Sequence, residues 1–253
     1  MLRTAILLLF GAVLGGCVSS GSQDPLATRE GRDAARAAYV QLGLGYLQQG
    51  STGQAKIPLR RALELDGSDA DAHAALALVF QRELEPELAE RHYRRALAAR
   101  GEDARILNNY GSFLYEQRRY AEAAERFRQA AADHLYPERS RVYENLGLAA
   151  LQLNQRAEAH AHFQRSLRLN RNQPRVLLEM AVLAFDDRHY VPARGYYDRF
   201  VALGGEQDAR SLLLGARLAN IFEDRAAAAA YAARLGRLYP GSPEYQQYLS
   251  EQQ

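Results

Sequence analysis

The feature that most restricts what this chain can fold into is a repeat. Laid on itself at a period of 34 residues from Arg36 onward, the sequence returns the same residue types at the same places. Gly43, Ala77, Gly111, Gly147, Ala181 and Gly215 hold the eighth position. Ala55, Ala89, Ala123, Ala159, Ala193 and Ala227 hold the twentieth, and Leu59, Tyr93, Phe127, Phe163, Tyr197 and Tyr231 the twenty-fourth. Two extra residues near Tyr136 shift the phase once. A repeat of this length holds two antiparallel helices and their turns. Small residues belong where the helix axes approach, and large ones fill the space around them. A single hairpin leaves an apolar side bare until a neighbour stacks on it, so the repeats are expected to form one cooperative unit.

With an aromatic, Leu-Gly, Tyr, Ala, Phe, Ala and Pro at recurring offsets, the pattern resembles the tetratricopeptide repeat. The implied fold is all-α, a superhelix of six helix-turn-helix hairpins near 36–69, 70–103, 104–137, 140–173, 174–207 and 208–241. Turn signals fall between the helices at Gln49-Gly50-Ser51, Glu85-Pro86 and Asp186-Asp187-Arg188. Ser242-Pro243-Glu244 offers an N-cap, a proline at the first helical position and an acidic first turn, so a capping helix is expected from Tyr245 to Glu251. Two features depart from the pattern. No repeat has Trp at its fourth position, and Pro58 falls inside a predicted helix, which it should kink or shift.

The N-terminus is of another kind. Arg3 precedes an apolar run from Ala5 to Leu14, shorter than the ~20 residues a membrane-spanning helix needs, and residues 1–16 read as a signal peptide. Leu14-Gly15-Gly16-Cys17 resembles the bacterial lipobox, which implies a lipidated Cys17 after cleavage. Cys17 is the only cysteine, so it has no disulfide partner within the chain. Val18 stands where an acidic residue would hold a lipoprotein at the inner membrane, so the expected place is the periplasmic face of the outer membrane. Residues 17–30 are polar and read as a flexible tether, with the repeat domain over 31–253.

Catalysis finds little support. The histidines at 73, 92, 134, 160, 162 and 189 are scattered, and the spacing of His160 and His162 puts them on different faces of a helix. Asp186-Asp187 lies in a turn, where Asp is favoured for backbone reasons. The pairs Arg60-Arg61 and Arg94-Arg95 recur near the end of a second helix and read as a solvated outer face. Basic residues are interspersed with acids to a net charge of +2, which gives nucleic acid no basic face to bind. No cofactor, metal or small-molecule substrate is expected.

A binding role remains. In tetratricopeptide arrays the first helices line a concave surface, with the second, fifth, sixth, ninth, twelfth and thirteenth positions facing it. Carried over, repeat one presents Ala37, Val40, Gln41, Leu44, Leu47 and Gln48, an apolar stripe suited to a partner's helix, with Val40, Leu44 and Leu47 as its contacts. The alternative is that Arg29–Ala35 folds over the stripe as a cap. Repeats three and four present Arg105, Asn108, Asn109, Ser112, Tyr115 and Glu116, then Arg141, Glu144, Asn145 and Leu148. Asn108, Asn109 and Asn145 offer donor and acceptor together to an extended backbone.

With the lipobox, the tether and the phrases Leu107–Phe127 and Tyr143–Phe163, the whole chain resembles the type IV pilus biogenesis lipoproteins of the PilF/PilW family. The resemblance implies a pilotin, an outer-membrane lipoprotein that binds the pilus secretin and promotes its localisation and multimer assembly. A lipoprotein scaffold of β-barrel assembly or of cell-wall synthase activation is the second reading, and a periplasmic enzyme on a helical scaffold a remote third.

Overall fold

The computed structural model describes residues 24–252. Among these residues the secondary structure is wholly helical: a 3₁₀ turn at Pro25–Ala27, then α1 (Arg29–Gln48), α2 (Thr52–Leu65), α3 (Ala70–Arg82), α4 (Pro86–Ala99), α5 (Ala104–Glu116), α6 (Tyr120–Ala132), α7 (Arg139–Gln152), α8 (Arg156–Leu169), α9 (Pro174–Asp186), α10 (Tyr190–Ala202), α11 (Ala209–Ile221), α12 (Arg225–Leu238) and α13 (Pro243–Ser250). The signal sequence, Cys17 and the tether up to residue 23 lie outside the described residues. No described helix is long and apolar enough to cross a membrane.

The described residues fall into two compact units, 24–99 and 100–252. In the first, α1 packs on α2 and α3, and α3 pairs with α4. In the second, α5 with α6, α7 with α8, α9 with α10 and α11 with α12 form four hairpins stacked in order, and α13 closes against α11 and α12.

The repeat positions explain the packing inside each hairpin. A Cβ placed on Gly43 would lie 2.5 Å from Leu59 Cγ, one on Gly111 2.6 Å from Phe127 Cε1 and one on Gly147 2.3 Å from Phe163 Cε1. The large side chain of the second helix thus rests directly on the glycine of the first. Leu59, Tyr93, Phe127 and Phe163 are fully or almost fully buried, which stabilises each hairpin by about 1.5–3 kcal/mol per side chain. Buried phenols keep a partner: Tyr93 donates to Gln81 Oε1 at 3.0 Å and Tyr197 to the Ser211 carbonyl at 2.9 Å.

Each first helix ends in the same way. The residue after its C-cap takes positive φ, at Gly50, Leu84, Arg118, Asn154, Arg188 and Glu223. The next amide then reaches back to a carbonyl in the last turn, as from Ser51 to Tyr46 and from Glu85 to Phe80, both at 2.9 Å. This is the Schellman closure, which satisfies carbonyls that the helix leaves open. Asp69, Asp103, Asp208 and Asp224 cap the following helices through their carboxylates.

Two expectations require correction. Arg29–Ala35 does not fold back as a cap; it is the first part of α1, begun at Thr28, whose Oγ1 accepts from the Gly31 amide at 3.0 Å. The tether is correspondingly shorter than 17–30, since Arg29 and Glu30 are already helical. Pro58 lies within α2, which runs from Thr52 to Leu65, and is buried there. The proline has no amide to donate, and burial of its ring offsets part of that loss.

Candidate interaction surface

The apolar stripe expected to lie open in repeat one is core. Val40 packs with Ala62 and Ala72, and Leu47 with Leu59, Leu76 and Val79. Both are almost fully buried, at 4% and 3% exposure, and Leu44 is half-buried against the same clusters. The i, i+4, i+7 spacing is that of a helix facing its own neighbours, α2 and α3, which take up the surface a partner would have needed. Leu42 and Ile57 are the large apolar side chains this hairpin leaves to solvent.

In the second unit the first helices α5, α7, α9 and α11 are joined by polar links, one per step. Asn145 Nδ2 donates to Asn108 Oδ1 at 3.0 Å, joining α7 to α5. Arg175 lies 3.9 Å from Glu144, joining α9 to α7. Arg210 grips Glu179 with two hydrogen bonds of 2.8 and 3.0 Å, joining α11 to α9. Asn108 is buried, and its carbonyl oxygen is engaged by Asn145 rather than left for a ligand backbone. Asn109 and Asn145 are half-exposed.

Between α5 and α7 opens a cleft of about 330 Å³ lined by Ser112, Tyr115, Glu116, Phe127, Asn145, Leu148 and Arg175. Its apolar lining is Phe127 and Leu148, and its polar lining comes from Ser112, Glu116, Asn145 and Arg175. Tyr115 stands edge-on to Tyr120 at 5.1 Å, and burial pushes its phenol above the usual range. Glu144 is raised in the same way by burial, partly opposed by Arg175 and Arg141. The sequence-predicted residues Asn108, Tyr115 and Asn145 therefore converge on one wall, while Val40, Leu44 and Leu47 belong to the other unit's core. Arg175, Glu179 and Arg210 were not singled out from sequence, although Arg175 repeats the position of Arg105 and Arg141.

Among the described residues, no three His, Cys, Asp or Glu side chains converge as a metal ion requires. His73 and His92 do meet, Nδ1 to Nδ1 at 3.0 Å, with His73 Nε2 also 3.1 Å from the Gly67 carbonyl. Burial lowers both, His92 to about 4. As neutral rings they join α3 and α4 and hold the turn before α3, the work of packing residues.

Models of the tetratricopeptide repeat match residues 37–69, 102–172 and 144–206. Over 249 residues, 98% of both chains, the sequence is 63% identical to the type IV pilus assembly protein PilF of Pseudomonas aeruginosa. The chain belongs to the PilF family. A solved structure of Pseudomonas aeruginosa PilF superposes with a TM-score of 0.85 at 65% identity, covering 87% of this chain and 99% of that one. PilW, described as a widely conserved type IV pilus biogenesis factor, follows at 0.72 and 28% identity over 85% of this chain and 98% of its own. An uncharacterized Haemophilus influenzae protein is 32% identical over 143 residues, 56% of this chain and 77% of its own. The solved PilF and PilW structures thus share the helical-repeat fold with this chain.

Proposed function

We propose that this chain is a non-enzymatic, lipid-anchored scaffold of type IV pilus biogenesis that binds the pilus secretin and promotes its assembly into multimers at the outer membrane. The observation that carries the reading is 63% identity with a type IV pilus assembly protein over almost the whole of both chains. Two further features support it. Leu14-Gly15-Gly16-Cys17 resembles a lipobox, and a doubly or triply acylated cysteine would be a stable anchor because each buried CH₂ adds about 0.8 kcal/mol. The fold presents stacked helix faces with a half-exposed polar wall, a surface for holding another polypeptide.

Deleting the gene should abolish secretin multimers while monomers persist, with outer-membrane barrel proteins unaffected as the control. Multimers at their normal level in the deletion strain would overturn the reading, and a general loss of barrel proteins would transfer it to a β-barrel assembly scaffold. Cys17→Ser should fold normally and leave the membrane fraction. A Cys17→Ser protein that stayed wholly with the outer membrane would remove lipid as the anchor.

A further inference from the structure

In a protein of which 25% is Asp, Glu, Lys or Arg, the stretch from Ala37 to Ala55 contains no charged side chain. It covers the second half of α1, the turn and the start of α2. Val40, Leu44 and Leu47 give one side of it to α2 and α3, and Leu42 stands about 200° around the helix from Val40, on the opposite side. At the same place in later repeats, Leu76 is 3% exposed in the cluster with Leu47 and Leu59, and Met180 is 1% exposed in the cluster with Phe163 and Leu148. A preceding hairpin covers those two. Leu42 has none before it among the described residues and is 49% exposed. Half-buried Tyr39 and Tyr46 flank it on the same side, three residues before and four after. On α2, Ile57 is 62% exposed where repeats two and three place Arg91 and Glu125.

The length of chain before the described residues says what lies against this hairpin. Residues 17–23 are all that separate Cys17 from Asp24, and even fully extended they span only about 24 Å. That is less than the length of α1, about 30 Å for 20 residues. A Cys17 seated in a bilayer therefore keeps the first hairpin within one helix length of the lipid headgroups. So short a link makes contact with the surface an intramolecular event, at an effective concentration on the order of millimolar, and two or three apolar side chains suffice to hold it. The residue types suit that interface. Tyrosine has an apolar body and a polar tip, the reason it gathers at headgroup level. Exposed Gln41, Gln48, Gln49 and Gln54 offer amides to phosphate and glycerol oxygens. Carboxylates, which anionic lipids would repel, are missing from the stretch. The bordering cations Lys56 and Arg61 are paired with Glu83 and Glu64, so the face acts through apolar contact and hydrogen bonds.

We propose that the uncharged face of the first hairpin, with Leu42 and Ile57 as its apolar contacts and Tyr39 and Tyr46 beside them, rests in the headgroup layer of the phospholipid surface to which Cys17 is attached. The inference rests on the reading of Cys17 as the lipid-bearing residue and adds a second, non-covalent contact with the same bilayer. With two points of attachment the hairpin is oriented on the membrane as well as held near it.

The chain has one cysteine and no tryptophan, which makes the test selective. The chain from Cys17 to Gln253 is coupled through its thiol to maleimide-bearing lipid in vesicles of phosphatidylethanolamine and phosphatidylglycerol. Leu42→Trp and Ile57→Trp are separate single reporters at exposed sites, and Leu135→Trp, at a side chain 91% exposed in the second unit, is the control. On coupling, the emission of the first two should shift to the blue. Lipids brominated high on their acyl chains should quench both at least twofold, since interfacial side chains sit about 5–10 Å deep. The control should not change. Unquenched reporters at both Leu42 and Ile57 would overturn the proposal, and so would equal quenching of Leu135→Trp, the sign of indiscriminate adsorption. A blue shift of Leu42→Trp in uncoupled chain that grows with chain concentration would give the face to a second copy and overturn it too. Because coupling imposes the anchor, this outcome is independent of whether cells lipidate Cys17. Cys17→Ser protein that stays at the outer membrane in cells, and leaves it once Leu42→Ser and Ile57→Ser are added, would sustain the contact while the lipid-anchor reading fell.

Discussion

The turn after α3 offers a clean test of how the hairpins are closed. Leu84 adopts φ of +59°, and its side chain is 86% exposed, so it pays for a left-handed backbone without burying anything. For a residue with a Cβ that conformation costs about 1–2 kcal/mol. Glycine removes the strain but brings about 0.4–1 kcal/mol of extra chain entropy in the unfolded state. Leu84→Gly should therefore stabilise the first unit by about 0.5–1 kcal/mol. Gly50, with φ of +77° and open space where a Cβ would go, gives the mirror experiment, and Gly50→Ala should cost about the same amount. Because a chain of two units need not unfold in one step, the assay should be native-state hydrogen exchange of the α2, α3 and α4 amides. A melting curve serves as the second measure, with an expected shift of about 2–6 °C for a unit of this size. Reduced protection in Leu84→Gly, or unchanged protection in Gly50→Ala, would refute the assignment of strain to this turn position.

Gly111→Leu should destabilise the second unit by about 1–3 kcal/mol or more, since even a Cβ there meets the Phe127 ring at 2.6 Å, and an unchanged melting temperature would remove the glycine-on-ring contact. Leu47→Ser should cost about 2–5 kcal/mol in denaturant unfolding, because the side chain is buried against Leu59, Leu76 and Val79; a neutral result would return it to the surface. Acid should weaken the first unit before its carboxylates titrate. The folded pKa values of His73 and His92 lie below the unfolded value of 6.5, so the unfolded chain binds protons first, and stability complete above that pH is lost as pH falls towards about 4. The loss should be of order 1–2 kcal/mol, and His92→Gln should flatten it; an equally steep profile in that variant would place the titration elsewhere.

Much of the hairpin architecture was legible because close packing writes it as residue size. Glycine or alanine at the eighth position and a large side chain at the twenty-fourth are two halves of one contact, and both halves recur. Turns were legible at Gln49-Gly50-Ser51, Glu85-Pro86 and Asp186-Asp187-Arg188, but the left-handed residue itself was signalled by its type only at Gly50. Leu84, Arg118, Asn154, Arg188 and Glu223 carry the same backbone because the helix-end hydrogen bonds hold them there. Val40 and Leu47 were misplaced because an apolar i, i+4, i+7 stripe looks the same whether its cover is a partner or the next helix. Only the contacts of α1 with α2 and α3 distinguish the two.

The polar wall shows why the identity of groove residues does not by itself reveal how they recognise anything. Asn108 was expected to pair with a ligand backbone, yet its oxygen already accepts from Asn145 inside the fold. A partner that took that oxygen would strand a partly buried amide, at a cost of about 1–3 kcal/mol that the new hydrogen bond would barely offset. The Asn108–Asn145 bond accordingly holds α5 against α7.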